Sequence, residues 1–319
     1  MRIGIMGVGM VGGTLARYFS EVKNLRRGEG LFLYDADPKK GFTDDVNSAD
    51  VIFICVPTPP GKNGGADLSI LESALASLQG EKTVVIKSTV PPGTTERYQK
   101  KFSHLSLLFS PEFLTESRAW EDMLRPDRQI VGHTEHSKNQ AGPILTMLPQ
   151  AFFSSPGTLG TYQFVRANAT EAELGKYAGN LFGAIKVAYA NILADIAEAL
   201  GNTDYENVRK IVAHDRRIGD GWMDVYHNKY RGFAGICLPK DAAALMVAMK
   251  ELSKKKPASA KENILLKKGA GVIKAVLDYN DALLASQRLS LEDVGVHDQE
   301  WLKRRRGAAK IQKNKTKKA

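Results

Sequence analysis

The sequence predicts an α/β protein in which a parallel sheet is followed by a helical region built around one long helix. Three observations predict this class. The 319 residues suggest about two domains. In the first half, short continuous apolar runs alternate with helical patterns, as in parallel sheets covered on both faces. The segment 168–202 then has the apolar spacing of a single helix of roughly 45 Å, longer than one small domain needs.

The first predicted unit is a strand, a glycine-rich turn and a helix. Residues 2–6 form the strand, residues 11–19 form the helix, and the turn between them, GVGMVG, matches G-x-G-x-x-G. In this pattern the first glycine allows a tight turn, the second lets the backbone approach a pyrophosphate, and the third lets the helix pack on the strand. The glycines here are Gly7, Gly9 and Gly12. Their context therefore predicts dinucleotide binding.

The second predicted strand, LFLYD, ends in an acidic residue. Asp35 lies close to the spacing from Gly12 at which a carboxylate binds the ribose, and an acid there favours NAD over NADP because it would repel a 2′-phosphate. The next strands are predicted at 51–56, where Cys55 is a core residue, and at 83–88. Only 15 residues separate Asp35 from Val51, too few for a complete strand–helix–strand repeat.

The long predicted helix carries a capping-box pattern, Thr170 with Glu173, and ends near Gly201. Lys176 and Asn180 are four residues apart and therefore share a face. On spacing alone this face is either solvated or functional. Cys237, in RGFAGICLPKD, is likewise either a core residue or a nucleophile, since cysteine is among the most buried residue types.

Charge and cysteine content limit the classes of protein. The net charge is +10, but residues 301–319 contain nine Lys or Arg and no acid, which leaves 36 basic against 35 acidic residues elsewhere. We expect a disordered basic tail, or alternatively an arm that contacts an acidic partner. Two cysteines and no long apolar run predict a cytoplasmic protein without a membrane span. His133 and His136 lack a third ligand, so no metal is predicted.

Seven motifs occur in one order: GVGMVG, VPTP, KSTVPPGTT, FSPEFLTES, RPDRQIVG, ATEAELGKYAGN and GFAGICLPKD. Together they resemble the UDP-glucose/GDP-mannose dehydrogenase family over about residues 1–250. The resemblance implies oxidation of the C6 alcohol of a UDP-glucose-like sugar nucleotide to the uronic acid. It also implies two NAD molecules, a covalent intermediate on Cys237 and a homodimer formed through the helix at 171–200.

The resemblance also implies individual roles. The catalytic residues would be the nucleophile Cys237, the oxyanion donors Lys176 and Asn180, and the proton and water residues Thr89, Glu112 and Asp241; Lys240 shares their motif without a definite role. The cofactor would contact Gly7, Gly9, Met10, Val11, Gly12, Asp35, Lys40, Thr58, Thr89 and Glu116. The substrate would contact Glu112, Phe113, Leu114, Lys176, Asn180, Phe233 and Gly235, with Arg217 reaching the partner's substrate.

Three departures from the family pattern shape the expected domains. About 70 residues follow Lys250 without a second strand-rich half, so we expect the C-terminal UDP-binding domain to be lacking. The sheet is trimmed after Asp35, and Ala234 replaces a glycine. The predicted division is a NAD-binding domain at 1–165, a central helical domain at 166–252, a helical extension at 253–300 and a basic tail at 301–319.

These departures from the family pattern leave three hypotheses for the function. The first is a NAD-dependent nucleotide-sugar 6-dehydrogenase, favoured by the presence of all the expected catalytic residue types. The second is a non-catalytic NAD-binding or scaffolding dimer. The third is a simpler β-hydroxyacid dehydrogenase, which would not need Cys237. The presence of Cys237 favours the first hypothesis. Oxidation of an aldehyde to an acid calls for a covalent nucleophile, which provides the tetrahedral carbon from which a second hydride can leave.

Overall fold

The computed structural model describes residues 1–151, 162–227, 230–235, 237–254 and 260–294. The chain divides into two compact units, the first comprising residues 1–62 and 66–178, and the second residues 63–65 and 179–319. The predicted basic tail at 301–319 lies outside the described residues. The predicted division into four segments stays a prediction.

Among its described residues, the first unit contains eight strands and five α-helices besides the start of the long helix. The strands are β1 Ile3–Met6, β2 Leu31–Tyr34, β3 Val51–Ile54, β4 Lys82–Ile86, β5 Leu105–Phe109, β6 Arg128–Ile130, β7 Gly132–His133 and β8 Tyr162–Phe164. The helices are α1 Met10–Arg17, α2 Ser69–Ala76, α3 Thr94–Lys101, α4 Ala119–Leu124 and α5 Ala141–Met147. Six strands form one sheet in the order β2-β1-β3-β4-β5-β7, and β6 pairs with β8 separately.

All pairs in the main sheet are parallel except β5 with β7, which is antiparallel. The predicted α/β class is therefore confirmed. The interior strands β1 and β3 are apolar throughout because their neighbouring residues face opposite sides of the sheet and both sides are buried. In β3, Ile52 and Ile54 belong to one buried cluster, while Val51 and Phe53 belong to the other. A sheet buried on both faces needs such runs rather than an alternating pattern.

The predicted trimming falls between β2 and β3. Two short helical turns, Pro38–Lys40 and Val46–Ser48, replace a crossover helix there. Asp44 holds this stretch to the sheet, because its carboxylate accepts a hydrogen bond from the Leu33 amide at 2.9 Å and pairs with Arg27 at 2.8 Å. With β2 at the edge, the order changes direction between β1 and β3, and ligands of open α/β sheets bind beside the carboxyl ends of strands at such a point.

The long helix α6 runs from Ala169 to Leu200, within two residues of the prediction at either end. Its predicted cap is wrong by two residues. The reciprocal pair is Asn168 with Glu171, joined by two backbone-to-side-chain hydrogen bonds of 2.8 and 2.9 Å. Thr170 and Glu173 do not form the box, since Glu173 faces the interior of the first unit and is fully buried.

Glu173 caps a different helix. Its carboxylate accepts hydrogen bonds from the amides of Gly93 and Thr95, at 2.6 and 2.8 Å, and from the Thr95 hydroxyl at 2.6 Å. These amides lie at the amino end of α3, where no local side chain caps the helix. Burial raises the pKa of Glu173 to about 7, although the three hydrogen bonds favour the carboxylate and act against this rise.

This raised pKa predicts a pH-dependent contribution to stability. A folded pKa above the ordinary value of 4.5 means that the folded chain holds a proton which the unfolded chain releases, so stability falls as the pH rises from about 4.5 to about 7. The difference in free energy of unfolding between the wild type and Glu173→Gln should fall by ~3 kcal/mol across this window. Urea denaturation at several pH values measures it, and a difference that grows with pH would contradict the assignment.

The second unit holds most of α6 and the remaining elements. These are α7 Tyr205–Ala213, β9 Tyr226–His227, β10 Tyr230–Arg231, α8 Leu238–Leu252, α9 Ala260–Ser286 and α10 Leu291–Val294. Strands β9 and β10 form an antiparallel pair, and α8 packs along α9. Within the ranges that the structure describes, no helix combines the length and apolar character needed to cross a bilayer.

Candidate active site

The glycine-rich turn after β1 is shaped by close backbone contacts. Gly7 has φ +88°, and a Cβ there would lie 2.7 Å from the Cys55 carbonyl oxygen. A Cβ at Gly12 would lie 2.0 Å from the Gly7 carbonyl oxygen. A Cβ at Gly9 would meet no protein atom within 4 Å. Packing therefore requires the first and third glycines, while the second leaves open space before α1, as a pyrophosphate would need.

Asp35 is held firmly beside this turn. Its carboxylate accepts hydrogen bonds from the Val8 amide at 2.7 Å, from the Asp37 amide at 3.0 Å and from Lys40 Nζ at 2.8 Å. Burial alone would raise the pKa of Asp35, but the bonds from Lys40 and the two amides outweigh it and lower the pKa. The carboxylate is thus ionised and fixed in orientation, with Lys40 as a second charged group at the same place.

A cavity of about 430 Å³ opens along the carboxyl ends of β1, β2 and β3. Four of the predicted cofactor residues line it, and Met10 and Val11 begin the adjoining helix α1. The glycine contacts, the open space at Gly9 and the ionised Asp35 all fit a dinucleotide. The lining residues are Met6, Gly7, Gly9, Tyr34, Asp35, Ala36, Lys40, Cys55, Val56, Pro57, Ile70, Ser73, Ala74 and Ser77.

Two alanine substitutions separate folding from cofactor binding at this turn. Gly12→Ala should destabilise the fold by ~3 kcal/mol, because the new methyl group meets a backbone oxygen. Gly9→Ala should change stability by less than about 1 kcal/mol but weaken NAD binding about tenfold or more, since its methyl group enters the open space. Thermal unfolding and NAD titration measure the two effects. Equal stability of the two variants would contradict the packing assigned to Gly12.

Two further predicted cofactor residues follow strand ends. The hydroxyl of Thr58 donates a 2.8 Å hydrogen bond to the Thr89 carbonyl, so the loop after β3 supports the loop after β4. Thr58 is buried and Thr89 is half-buried. The backbone of Glu116 begins a short helical turn, and its side chain lies outside the described part of the structure.

Lys176 and Glu112 form a buried ion pair in the first unit. Lys176 Nζ donates to the Glu112 carbonyl at 2.7 Å and to its carboxylate at 3.1 Å. The Leu114 amide donates to the other carboxylate oxygen at 2.8 Å. The ring of Phe113 lies beneath Arg128, at 3.7 Å from the guanidinium carbon to the ring centre, and 5.3 Å from Lys176 Nζ. Lys176 is therefore not on a solvated face, and it is fixed by the loop predicted to bind the sugar.

A second cavity, of about 200 Å³, lies along this loop and reaches Lys87, which sequence reasoning missed. Lys87 is buried, and its Nζ donates at 3.3 Å to the Ser110 hydroxyl and to the Pro111 carbonyl. Burial lowers the pKa of Lys87 to about 8 and raises that of the neighbouring Cys55 to about 12. Cys55 thus stays a protonated thiol. The sequence signal that could have identified Lys87 as a site residue is a lysine at the end of an otherwise apolar predicted strand.

In the second unit, Asp241 is the centre of a buried polar cluster. Its carboxylate accepts a 2.5 Å hydrogen bond from Asn180 Nδ2 on one oxygen and from Lys240 Nζ, also at 2.5 Å, on the other. Cys237 lies one turn earlier and is exposed, immediately before α8. Its carbonyl accepts the Asp241 amide at 2.9 Å. The cysteine is therefore a surface residue at the amino end of a helix, next to a fixed carboxylate.

The segment before Cys237 explains the alanine at position 234. Gly232 and Gly235 have φ values of +104° and +74°, whereas Ala234 is not in the left-handed region. The Ala234 methyl group packs against an apolar cluster, so the departure from the glycine run causes no backbone strain. Phe233, predicted to contact substrate, has its ring in the core, and Gly235 is exposed.

Arg217 lies on an exposed loop after α7. Its side chain is 84% exposed and pairs with Asp215 at 2.6 Å. The loop itself is fixed from α6, because buried Lys186 Nζ donates to the carbonyls of Ile218 and Gly219 at 2.7 and 2.9 Å. The arginine is thus presented outward from an anchored turn. Over the part of the chain that the structure describes, no three His, Cys, Asp or Glu side chains are grouped as a metal site would require.

The fold and the first cavity define a dinucleotide-binding α/β protein, and comparison with known proteins gives its family. Two domains of the UDP-glucose/GDP-mannose dehydrogenase family match, the NAD binding domain at residues 38–145 and the central domain at 170–263. The two matches together span more than half of the chain. This chain therefore belongs to the UDP-glucose/GDP-mannose dehydrogenase family, and its cofactor is NAD.

Individual proteins show the same similarity. UDP-glucose 6-dehydrogenase of Pseudomonas aeruginosa is 33% identical over 291 residues, covering 77% of this chain and 61% of that protein. UDP-glucose 6-dehydrogenase TuaD of Bacillus subtilis is 35% identical over 225 residues, covering 66% and 45%. The structure of a UDP-glucose dehydrogenase from the archaeon Pyrobaculum islandicum matches with a TM-score of 0.68 at 27% identity, covering 88% and 68%. The chain thus spans less than two thirds of either curated relative.

Proposed function

We propose that this chain is a NAD-dependent dehydrogenase that oxidises the C6 alcohol of a UDP-glucose-like nucleotide sugar to the uronic acid. The observation that carries the proposal is the exposed thiol of Cys237 at the start of α8, one turn before Asp241. A space-filling cysteine would be buried, as this residue type usually is. Cys237 instead precedes a helix amino end, where a thiolate is stabilised.

The reaction requires a nucleophile as well as the cofactor. The glycine-rich turn and Asp35 would hold NAD, which supplies the hydride acceptor when bound, and converting an alcohol to a carboxylate needs two hydride transfers, to two NAD molecules. After the first, the thiol of Cys237 adds to the aldehyde carbon and holds it tetrahedral. The second leaves a thioester on Cys237, and water then releases the acid and restores the thiol.

The remaining residues stabilise charge and move protons. Lys176 and Asn180, one turn apart on α6, donate hydrogen bonds to the oxygen that becomes negative as the carbon turns tetrahedral. Glu112 and Asp241 are carboxylates already held by donors, and with Thr89 they orient water and exchange its protons. The loop of Glu112, Phe113 and Leu114 contacts the sugar. These roles follow the family resemblance position by position.

The alternative is a NAD-binding scaffold without catalytic activity. Incubating the full chain with NAD and a panel of UDP- and GDP-sugars, while following NADH at 340 nm, distinguishes the two. The enzyme hypothesis predicts NADH with at least one sugar. Measurable NAD binding without NADH formation from any member of the panel would support the scaffold.

We further propose a homodimer formed through α6. From Phe182 onward, one face of α6 exposes large apolar side chains at helical spacing, namely Phe182, Tyr189, Ile192, Ile196 and Leu200. A second copy is the natural occupant, because two equal helix faces bury each other around a two-fold axis. Ile196→Asp should convert the dimer to a monomer, since an unpaired carboxylate would be buried. Light scattering after gel filtration tests this, and a wild-type monomer would contradict it.

A further inference from the structure

The chain segment that leads to Cys237 is paired with helix α9 and with the residue directly after it through two side-chain amides. The Phe233 amide donates to Asn280 Oδ1 at 2.8 Å, and Asn280 Nδ2 donates back to the Phe233 carbonyl at 2.9 Å. Gln287 repeats the arrangement on Arg231, whose amide donates to Oε1 at 2.8 Å and whose carbonyl accepts from Nε2 at 2.9 Å. Both polar backbone atoms of residue 233 are thus bound by Asn280 of α9, and those of residue 231 by Gln287, directly after α9.

The residue between these two pairs has no room for a side chain. Gly232 has φ +104°, and a Cβ there would lie 2.8 Å from Asn280 Oδ1. Asn280 itself is only 1% exposed. A buried amide that lost its backbone partners would leave unsatisfied polar groups, which is costly. The conformation of the segment and the identity of residue 280 therefore depend on each other.

The same segment is also fixed through the side chain of Arg231. Its guanidinium donates to Asp195 at 2.5 Å and to Asn191 Oδ1 at 3.0 Å, both on α6. Tyr279 of α9 donates its hydroxyl to the other Asp195 oxygen at 2.5 Å. Burial, together with this bond to a carboxylate, raises the pKa of Tyr279. The carboxylate of Asp195 thus joins the segment, α6 and α9.

Apolar packing supports the polar contacts from the other side. Tyr230 is buried against residues of α9 and of the stretch that follows it, and Ala234 packs on the same cluster. The buried members of the cluster are Tyr230, Leu284, Leu289 and Val294. A helix that only filled space would need such contacts alone. Here two amide side chains, one on α9 and one directly after it, also bind the backbone of one short segment.

Only three residues separate Phe233 from Cys237, and α8 begins directly after the cysteine. The backbone is hydrogen-bonded at Phe233 on one side of the cysteine and enters α8 on the other. We propose that Asn280 and Gln287 are positioning residues that hold the backbone of Arg231 and Phe233 and thereby fix the thiol of Cys237 for its reaction. This rests on the proposed role of Cys237. Both residues lie beyond the matched central domain, which ends at residue 263.

The test compares Asn280→Ala and Gln287→Ala with Asp278→Ala in the full chain. Asp278 is the matched control, because it lies on the same helix, is exposed and forms a surface ion pair with Lys274. The first readout is the rate at which iodoacetamide alkylates Cys237 at pH 7, followed by mass spectrometry. Both amide variants should slow it about threefold or more, since a loosened cysteine leaves the helix amino end that stabilises its thiolate.

The second readout is steady-state kinetics. Displacement of a catalytic group reduces turnover without weakening cofactor binding, so kcat should fall about tenfold or more while the KM for NAD stays within about twofold. The Asp278→Ala control should match the wild type in both measurements. An alkylation rate in both amide variants that equals or exceeds the wild-type rate would overturn the proposal.

The design separates this proposal from the proposed function. Alkylation requires neither NAD nor sugar. A wild type without turnover would therefore refute the proposed enzymatic function, while the alkylation rates would still test whether Asn280 and Gln287 position Cys237. If Asn280→Ala does not fold, Asn280→Asp keeps the acceptor for the Phe233 amide and removes only the donor to its carbonyl. Slower alkylation in Asn280→Asp and Gln287→Ala would then support the proposal, and unchanged rates in both would overturn it.

Discussion

Serine in place of Cys237 is expected to stop formation of the sugar acid and turnover of NAD, with a loss of roughly 10³-fold or more, as when other enzymes lose a catalytic nucleophile. A hydroxyl is a far weaker nucleophile than a thiolate at neutral pH. Because Cys237 is exposed, its replacement leaves the core unchanged. Acid production followed by chromatography, with NADH measured in parallel, gives the result.

Two controls make the loss specific. The Cys237→Ser variant should unfold at the wild-type temperature and bind NAD with wild-type affinity, since the glycine-rich turn and its cavity lie elsewhere in the sequence. Formation of the acid at a rate within about tenfold of the wild type would show that the thiol is not the nucleophile.

Methionine in place of Lys176 is expected to impair both catalysis and folding. Turnover should fall by about 10²–10³-fold, the usual cost of one lost oxyanion donor. Stability should fall by ~3 kcal/mol, because the Glu112 carboxylate would be left buried without its cation. Urea denaturation and the kcat of the folded variant measure the two losses separately.

A double variant distinguishes these two roles. Lys176→Met combined with Glu112→Gln removes the unpaired charge, so most of the lost stability should return while activity stays lost. That result would mean that Glu112 mainly compensates the buried charge of Lys176, which the reaction needs. Equal or additive destabilisation in the double variant would contradict this account of the pair.

The sequence was sufficient for the architecture because its signals are local. The glycine turn, the acid after β2 and the apolar runs each predict their element from adjacent residues, and α6 begins and ends within two residues of its predicted bounds. The shorter features were predicted only in part. Strands β6 to β8 have only two or three residues, and the antiparallel direction of β7 depends on where the sheet ends rather than on its own sequence.

The site could be predicted only as far as motifs reach. Lys176 and Glu112 were named by resemblance, but their direct pairing joins residues 64 apart, and no spacing rule indicates it. Glu173 was assigned to a local cap because its true partners, Gly93 and Thr95, are about 80 residues away. Asn280 and Gln287 were not predicted because their partners are likewise distant in sequence. A polar residue on or beside a helix is ordinarily expected to be solvent-exposed.

The most direct test of the account is the number of NADH molecules formed per molecule of sugar acid. The full chain, NAD in excess and a limiting amount of the active sugar nucleotide are taken to completion, with NADH measured by absorbance and the acid by chromatography. Two hydride transfers at one carbon predict a ratio of two. A ratio of one with aldehyde as the product, or acid formed equally well by Cys237→Ser, would contradict a four-electron dehydrogenase that uses a covalent thiol.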